Sequence, residues 1–210
     1  YNGNIVYNPI KDLTLSAVFS YIRDNMNRGY GETLNHISAL RDGLAGWSSV
    51  GAYTKMEKLM ELTAQYNKEI GAHKFSVLGG YSYNETDFEE LWIDNYGFQD
   101  DYFGGWHNIG IGSALKDGKA NIGSKKTPTN LIGFFGRATY SFKNRYLLMG
   151  ALRYEGASQL WGTDNAWGLF PSISVGWRIT EEAFMKNQKI FDDLKLRVGY
   201  GVTGSQPKDP

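Results

Sequence analysis

Apolar and polar residues alternate with a period of two over several separate stretches of this chain. Leu194, Leu196, Val198, Tyr200 and Val202 fall on one face of a segment whose other face carries Lys195, Arg197, Gly199, Gly201 and Thr203. That is the pattern of a strand with one apolar and one polar face. Ile173, Val175, Trp177 and Ile179 repeat it against Ser172, Ser174, Gly176 and Arg178. Ile132, Phe134, Ala138, Tyr140 and Phe142 repeat it against Arg137, Thr139 and Ser141. From Arg145 to Glu155, Tyr146, Leu148, Leu152 and Tyr154 oppose a mixed face that ends in Arg153 and Glu155. Weaker copies lie upstream: Leu13 to Tyr21, Met60 to Tyr66 and Phe75 to Asn84, with a short partial strand at Asn4 to Asn8. The pattern predicts about eight strands.

The predicted connections alternate between short and long. Pro9 to Asp12, Lys68 to His73 and Lys143-Asn144 are tight, whereas Asn25 to Val50, Asp87 to Thr129 and Gly156 to Leu169 are long. Short turns on one side and long loops on the other is the layout of an outer-membrane β-barrel. Thr180 to Asp193 breaks the alternation. Thr180 followed by Glu181 and Glu182, with Lys186 further on, predicts one short capped helix at the short-turn (periplasmic) rim.

Aromatic residues gather at predicted strand ends, among them Tyr21, Tyr81, Tyr83, Tyr140, Phe142, Tyr146, Tyr154, Trp177 and Tyr200. Interfacial girdles place aromatics in this way. A membrane register then follows from energy. Turning Lys195 and Arg197 to lipid would cost about 2–4 kcal/mol each near the midplane. Leu196 and Val198 are therefore expected to face lipid. Arg137, Arg153, Arg178, Lys195 and Arg197 are expected to face the lumen.

Composition narrows the picture by exclusion. No run approaches the ~18 apolar residues of a membrane helix, but barrel strands need only ~9–11 residues of alternating polarity. The 22 basic and 22 acidic residues leave no net charge, so no basic nucleic-acid footprint exists. Cys is absent, which removes disulfide and thiol chemistry. His36, His73 and His107 are far apart and lack metal-ligand spacing, and no paired carboxylates suggest an acid–base pair. No catalytic residue, metal site or cofactor is predicted. The start at Tyr1-Asn2-Gly3-Asn4 has no signal-peptide pattern, and both ends read as cut from a longer chain. Two other architectures fit the alternation alone. One is a complete small eight-strand barrel with a structural or adhesive role, although Asn4 to Asn8 is short for a closing strand. The other is a soluble β-sandwich that binds or hydrolyses glycans.

An ordered chain of motifs runs from Asn130 to Gln206. Gly136-Arg137-Ala138-Thr139-Tyr140-Ser141-Phe142 precedes Asn144-Arg145-Tyr146-Leu147-Leu148 and Leu152-Arg153-Tyr154-Glu155-Gly156-Ala157-Ser158. Trp167-Gly168-Leu169-Phe170-Pro171-Ser172-Ile173-Ser174 and Gly176-Trp177-Arg178-Ile179 lead to Glu182-Ala183-Phe184-Met185. Leu194-Lys195-Leu196-Arg197-Val198-Gly199-Tyr200-Gly201 and Thr203-Gly204 follow. In order and spacing this region resembles the SusC/RagA family of TonB-dependent outer-membrane transporters of Bacteroidetes-type bacteria. Ala157, Gln159 and the extra residue around Leu160-Trp161-Gly162 depart from the family's usual loop. The resemblance implies an all-β, antiparallel, up-and-down barrel of roughly 22 strands with a plugged lumen, of which residues 1–210 are a part. It implies an outer-membrane location and import of oligosaccharides or peptides. It also implies energy from the TonB complex, reached through a part not in this chain, and a SusD-like surface lipoprotein as a lid.

Two features of the second long connection are candidates for contact. Glu85, Asp87, Glu89, Glu90, Asp94, Asp100 and Asp101 form an acidic run whose spacing matches no EF-hand, so a solvated or partner-facing loop is expected. Trp92, Tyr96, Phe98, Tyr102, Phe103 and Trp106 supply aromatic faces that suit sugar stacking, docking of the lid, or plain loop packing. Trp161 is weighed in the same three ways.

Overall fold

The computed structural model describes residues 1–37, 44–101, 105–187 and 190–204. Eight strands follow in chain order: β1 (Asn2–Ile10), β2 (Leu13–Glu32), β3 (Trp47–Ile70), β4 (His73–Tyr96), β5 (Asn121–Phe142), β6 (Tyr146–Ala157), β7 (Trp167–Arg178) and β8 (Lys195–Gly201). They form one sheet in the order β1 to β8, an up-and-down meander. The β1–β2, β5–β6, β6–β7 and β7–β8 pairs are antiparallel. β1 and β8 lie at opposite ends of that order, and every residue of both is exposed. A small closed barrel would set these two strands side by side.

A soluble sandwich is also excluded. The large apolar side chains of β7 and β8 stay exposed, with Ile173 at 54%, Val175 at 55%, Val198 at 67% and Tyr200 at 73%. A sandwich would cover them with a second sheet, and all eight strands belong to one.

Strand length differs from the sequence expectation in one systematic way. β6 and β7 have 12 residues each, close to the ~9–11 that cross a bilayer. β2, β3, β4 and β5 have 20, 24, 24 and 22 residues. Much of what alternation assigned to loops at Asn25 to Val50 and Asp87 to Thr129 is strand. The reason is that period two reports a buried face and not a strand as such. Where both faces carry polar residues the apolar stripe vanishes while the ladder continues. Cross-strand pairs take over there: Arg28 Nη2 to Glu90 Oε1 at 2.8 Å, Thr54 to Asn25 at 2.9 Å, and the Tyr53 and Phe88 rings at 5.5 Å.

The chain divides into two compact units. The first comprises Tyr1–Tyr21, Lys58–Glu85 and Thr129–Pro210; the second comprises Ile22–Glu57 and Thr86–Pro128. In the second unit a short helix α1 (Ser113–Lys116) follows a 3-10 segment at Gly105–Ile111. Ser48, Asn95, Phe98 and Ala114 are buried there. Asn95 is fully buried and ties the segment down. Its amide donates to the Ile109 carbonyl at 2.7 Å and the Gly112 carbonyl at 3.0 Å, and its oxygen accepts from the Tyr96 N–H at 2.9 Å.

In the first unit the short turns are laced to their neighbours. Asn67 N–H donates to Asp12 O, Lys143 N–H to Ala72 O and Arg178 N–H to Arg145 O, each at 2.8 Å. Lys143 and Asn144 both have positive φ, 52° and 53°, the type I′ geometry whose twist matches a two-residue hairpin. The segment after β7 corrects the helix expected at Thr180 to Asp193. It forms two single 3-10 turns, Ile179–Glu181 and Ala183–Met185, and no α-helix is seen among its described residues. Thr180 does not cap. Its hydroxyl donates to Asp193 at 3.2 Å and accepts from the Leu194 N–H at 3.4 Å. Glu182, expected in the helix's first turn, is drawn instead to the strands.

Candidate functional site

The registers of β5 to β8 assign every side chain to one of two faces. Directly paired residues share a face, and neighbours along a strand alternate. One face carries the rows Phe142–Tyr146–Trp177–Leu196 and Tyr140–Leu148–Val175–Val198. It continues through Ala138–Gly150–Ile173–Tyr200 and Gly136–Leu152–Pro171 to Phe134–Tyr154–Leu169. No charged residue falls in these rows. The opposite face carries Ser141–Leu147–Gly176–Arg197, Thr139–Met149–Ser174–Gly199, Arg137–Ala151–Ser172–Gly201 and Phe135–Arg153–Phe170. Arg178 pairs with Lys195 on that same face. The five cations singled out in the sequence, Arg137, Arg153, Arg178, Lys195 and Arg197, therefore share one face.

Aromatics bound the apolar face at both ends. Near the short turns, Phe75 and Tyr140 lie 4.9 Å apart, and His73 lies 4.8 Å from Phe142 with its Nδ1 2.8 Å from the Tyr140 hydroxyl. Tyr146 and Trp177 continue this belt. At the other end, Tyr154 stacks on Trp167 at 4.7 Å and Tyr81 packs on Phe134 at 5.3 Å.

Sequence reasoning missed the group that fastens the first belt. Glu182 accepts hydrogen bonds from the Tyr146 hydroxyl at 2.7 Å, from Trp177 Nε1 at 3.0 Å and from Arg145 Nη1 at 2.8 Å. The Tyr146 and then the Trp177 hydrogen bonds, with the Arg145 charge, hold its carboxyl below the ordinary carboxylate range against the effect of desolvation. No local signal marks it, because its three partners come from the β5–β6 turn, β6 and β7.

The aromatic candidates separate. Trp92 lies over Gly123, where an added Cβ would come within 2.2 Å of its ring. Tyr96 stacks on Trp47 at 6.3 Å, and Trp47 packs on Tyr30 at 5.3 Å. Trp106 fills the space above Gly29, with 2.2 Å left for a Cβ there. These rings are packed on strand backbone or on each other, and Trp92 and Tyr96 sit on β4 rather than on a loop. Trp161 is 70% exposed, against 37% for Trp106. Tyr102 and Phe103 lie outside the described residues. Of the acidic run, Glu85 to Asp94 are also on β4, where Glu85 pairs with Lys58 at 2.7 Å and Glu90 with Arg28. Only Asp100 and Asp101 are in the loop, and Asp101 accepts from the Leu34 N–H at 2.9 Å. No cluster of metal-ligating side chains is found among the described residues.

Comparison with known proteins extends this geometry. The family model for TonB dependent receptor-like β-barrels matches residues 1–208. TonB-dependent receptor P26 of Formosa agariphila is 33% identical over 208 residues, 98% of this chain and 20% of that receptor. TonB-dependent receptor SusC of Bacteroides thetaiotaomicron is 35% identical over 162 residues, 77% of this chain and 15% of SusC. Among solved structures, the RagAB peptide importer in its closed-closed state superposes with a TM-score of 0.74 at 24% identity, covering 98% of this chain and 22% of that one. At that identity the likeness carries the fold alone. The chain thus spans about a fifth of the length of the relatives it matches. It belongs to the TonB-dependent receptor-like β-barrel family, as a stretch of a SusC/RagA-type barrel.

Proposed function

We propose that this stretch is part of the outer-membrane wall of a TonB-dependent transporter that imports oligosaccharides or peptides with a SusD-like surface lipoprotein as its lid. One observation carries the reading: the uncharged apolar face of β7, which begins at Trp167 and ends at Trp177. Such a face suits lipid, with an aromatic at each interface. The five cations on the opposite face then line the lumen, where water and the remainder of the protein solvate them. The wall performs no bond chemistry; the TonB complex supplies the energy.

The family resemblance supports both substrate classes, and RagAB, whose fold this chain shares, is a peptide importer. Among the described aromatic candidates, the 70% exposure of Trp161 supports contact with lid or substrate, while the packing of Trp92, Tyr96 and Trp106 supports a structural role for them. The test is purification of the full-length protein from its own membranes. A surface lipoprotein that co-purifies in detergent, and uptake abolished by a protonophore, are the expected results. Recovery as a monodisperse soluble protein without detergent would contradict the reading.

A further inference from the structure

On the polar face of β6 and β7, next to the long β6–β7 connection, lies a cavity of about 450 Å³ lined by Arg153, Glu155, Leu160, Asn165, Phe170 and Thr203 among others. Its floor is built by register. Arg153 pairs with Phe135 on one side and Phe170 on the other, and its guanidinium lies 5.8 Å from the Phe135 ring centre. One row along, Glu155 pairs with Gly133 and Gly168. A Cβ at Gly133 would come within 2.8 Å of Ser82 Oγ and 3.1 Å of Arg153 Nη2, and one at Gly168 within 2.6 Å of the Phe170 ring. A Cβ at Gly204 would come within 2.5 Å of the same ring. The guanidinium leans over one glycine and the phenyl ring over the other, with the carboxylate between them. Arg153 Nε donates to Glu155.

We infer that this cavity is a binding subsite for a neutral oligosaccharide. A guanidinium joined to a carboxylate presents donors and acceptors side by side with no net charge, which matches adjacent sugar hydroxyls. Phe170 offers an apolar surface to the C–H face of a ring. Trp161 does not line the cavity but follows its lining residue Leu160 in the chain and is 70% exposed, free to meet the further end of a bound chain of sugars. A uronate or phosphate would meet Glu155. A peptide in extended form binds best by adding to a strand edge, and here both edges of β6 and of β7 are taken by neighbouring strands.

The inference rests on the transporter reading, and the test separates the two. Full-length protein in detergent is applied to an array of neutral and acidic oligosaccharides and to a peptide library. Heat-modifiable gel migration of the same samples reports whether the barrel forms. The expected result is retention of neutral glycans, weakened at least about tenfold by Glu155→Gln and by Asn165→Ala, as loss of hydrogen bonds to a bound ligand requires. Trp161→Ala, at an exposed position, weakens binding with migration unchanged. A blank neutral array, retention of acidic glycans or peptides alone, or undiminished binding by all three variants overturns the subsite. Failure of the wild-type protein to show barrel migration would instead sink the transporter reading.

Discussion

Trp167 and Trp177 stand on the same face of β7, one at its first position and one beside its last, with Leu169, Pro171, Ile173 and Val175 between them. The strand path from position 167 to position 177 is roughly 33 Å at about 3.3 Å per residue. At a tilt near 40° it spans about 25 Å of depth, the height of the apolar band of an outer-membrane barrel. The two indoles are therefore expected to lie at the two interfaces.

The midplane then falls close to Ile173. Ile173→Arg is expected to destabilise the inserted barrel by about 2–4 kcal/mol. Ser174→Arg, the next residue on the opposite face, is expected to stay near neutral. Denaturant midpoints of the full-length protein folded into vesicles check the contrast; equal losses would contradict the facing.

Glu182 gives a pH dependence of known sign. Its carboxyl pKa is lowered in the folded protein. Its stabilising contribution is therefore fully present above the ordinary carboxylate pKa of about 4.3 and is lost as pH falls through the lower folded value. Cleavage of the 183–187 segment by an acid-tolerant protease is expected to rise only below about pH 4. In Glu182→Gln the segment opens already at neutral pH. Acid-independent cleavage of the wild type would count against the arrangement.

Asn95 holds the second unit's 3-10 segment and the residue that follows it, Gly112, with two donated bonds. Asn95→Ala leaves the Ile109 and Gly112 carbonyls without this partner, at a cost of about 1–3 kcal/mol. Faster amide exchange confined to residues 105–116 is expected; a global change would contradict a local role.

Packing and contact predict opposite behaviour for two tryptophans. Trp92→Ala removes a half-buried ring from Gly123 and is expected to lower stability by about 2 kcal/mol. Trp161→Ala is expected to stay within about 0.5 kcal/mol. Thermal unfolding of the two variants separates the roles.

β6 to β8 and the near half of β5, from Ile132 to Phe142, were legible in the sequence because one face of each carries no charge and is largely apolar, so Leu148, Ile173 and Val198 wrote the register by themselves. The same logic placed all five cations on one face. The far halves of β2 to β5 were not legible, since Asn25, Arg28, Thr54 and Glu90 are polar on both faces and leave no period to read. Glu182 and Trp47 were missed for another reason. Each draws its role from partners on separate strands, and only the register brings Tyr146 to Trp177 or Tyr30 to Tyr96 across Trp47.

The facing of the strands is tested most directly along β6. In an otherwise Cys-free full-length protein, nitroxide labels are placed one at a time from Leu147 to Tyr154 in lipid vesicles. Labels at Leu148, Gly150, Leu152 and Tyr154 are predicted to be quenched by oxygen, which partitions into lipid. Those at Leu147, Met149, Ala151 and Arg153 are predicted to be quenched by a water-soluble nickel chelate. Uniform access of the chelate to all eight positions, or the inverse alternation, would contradict a membrane wall with this orientation.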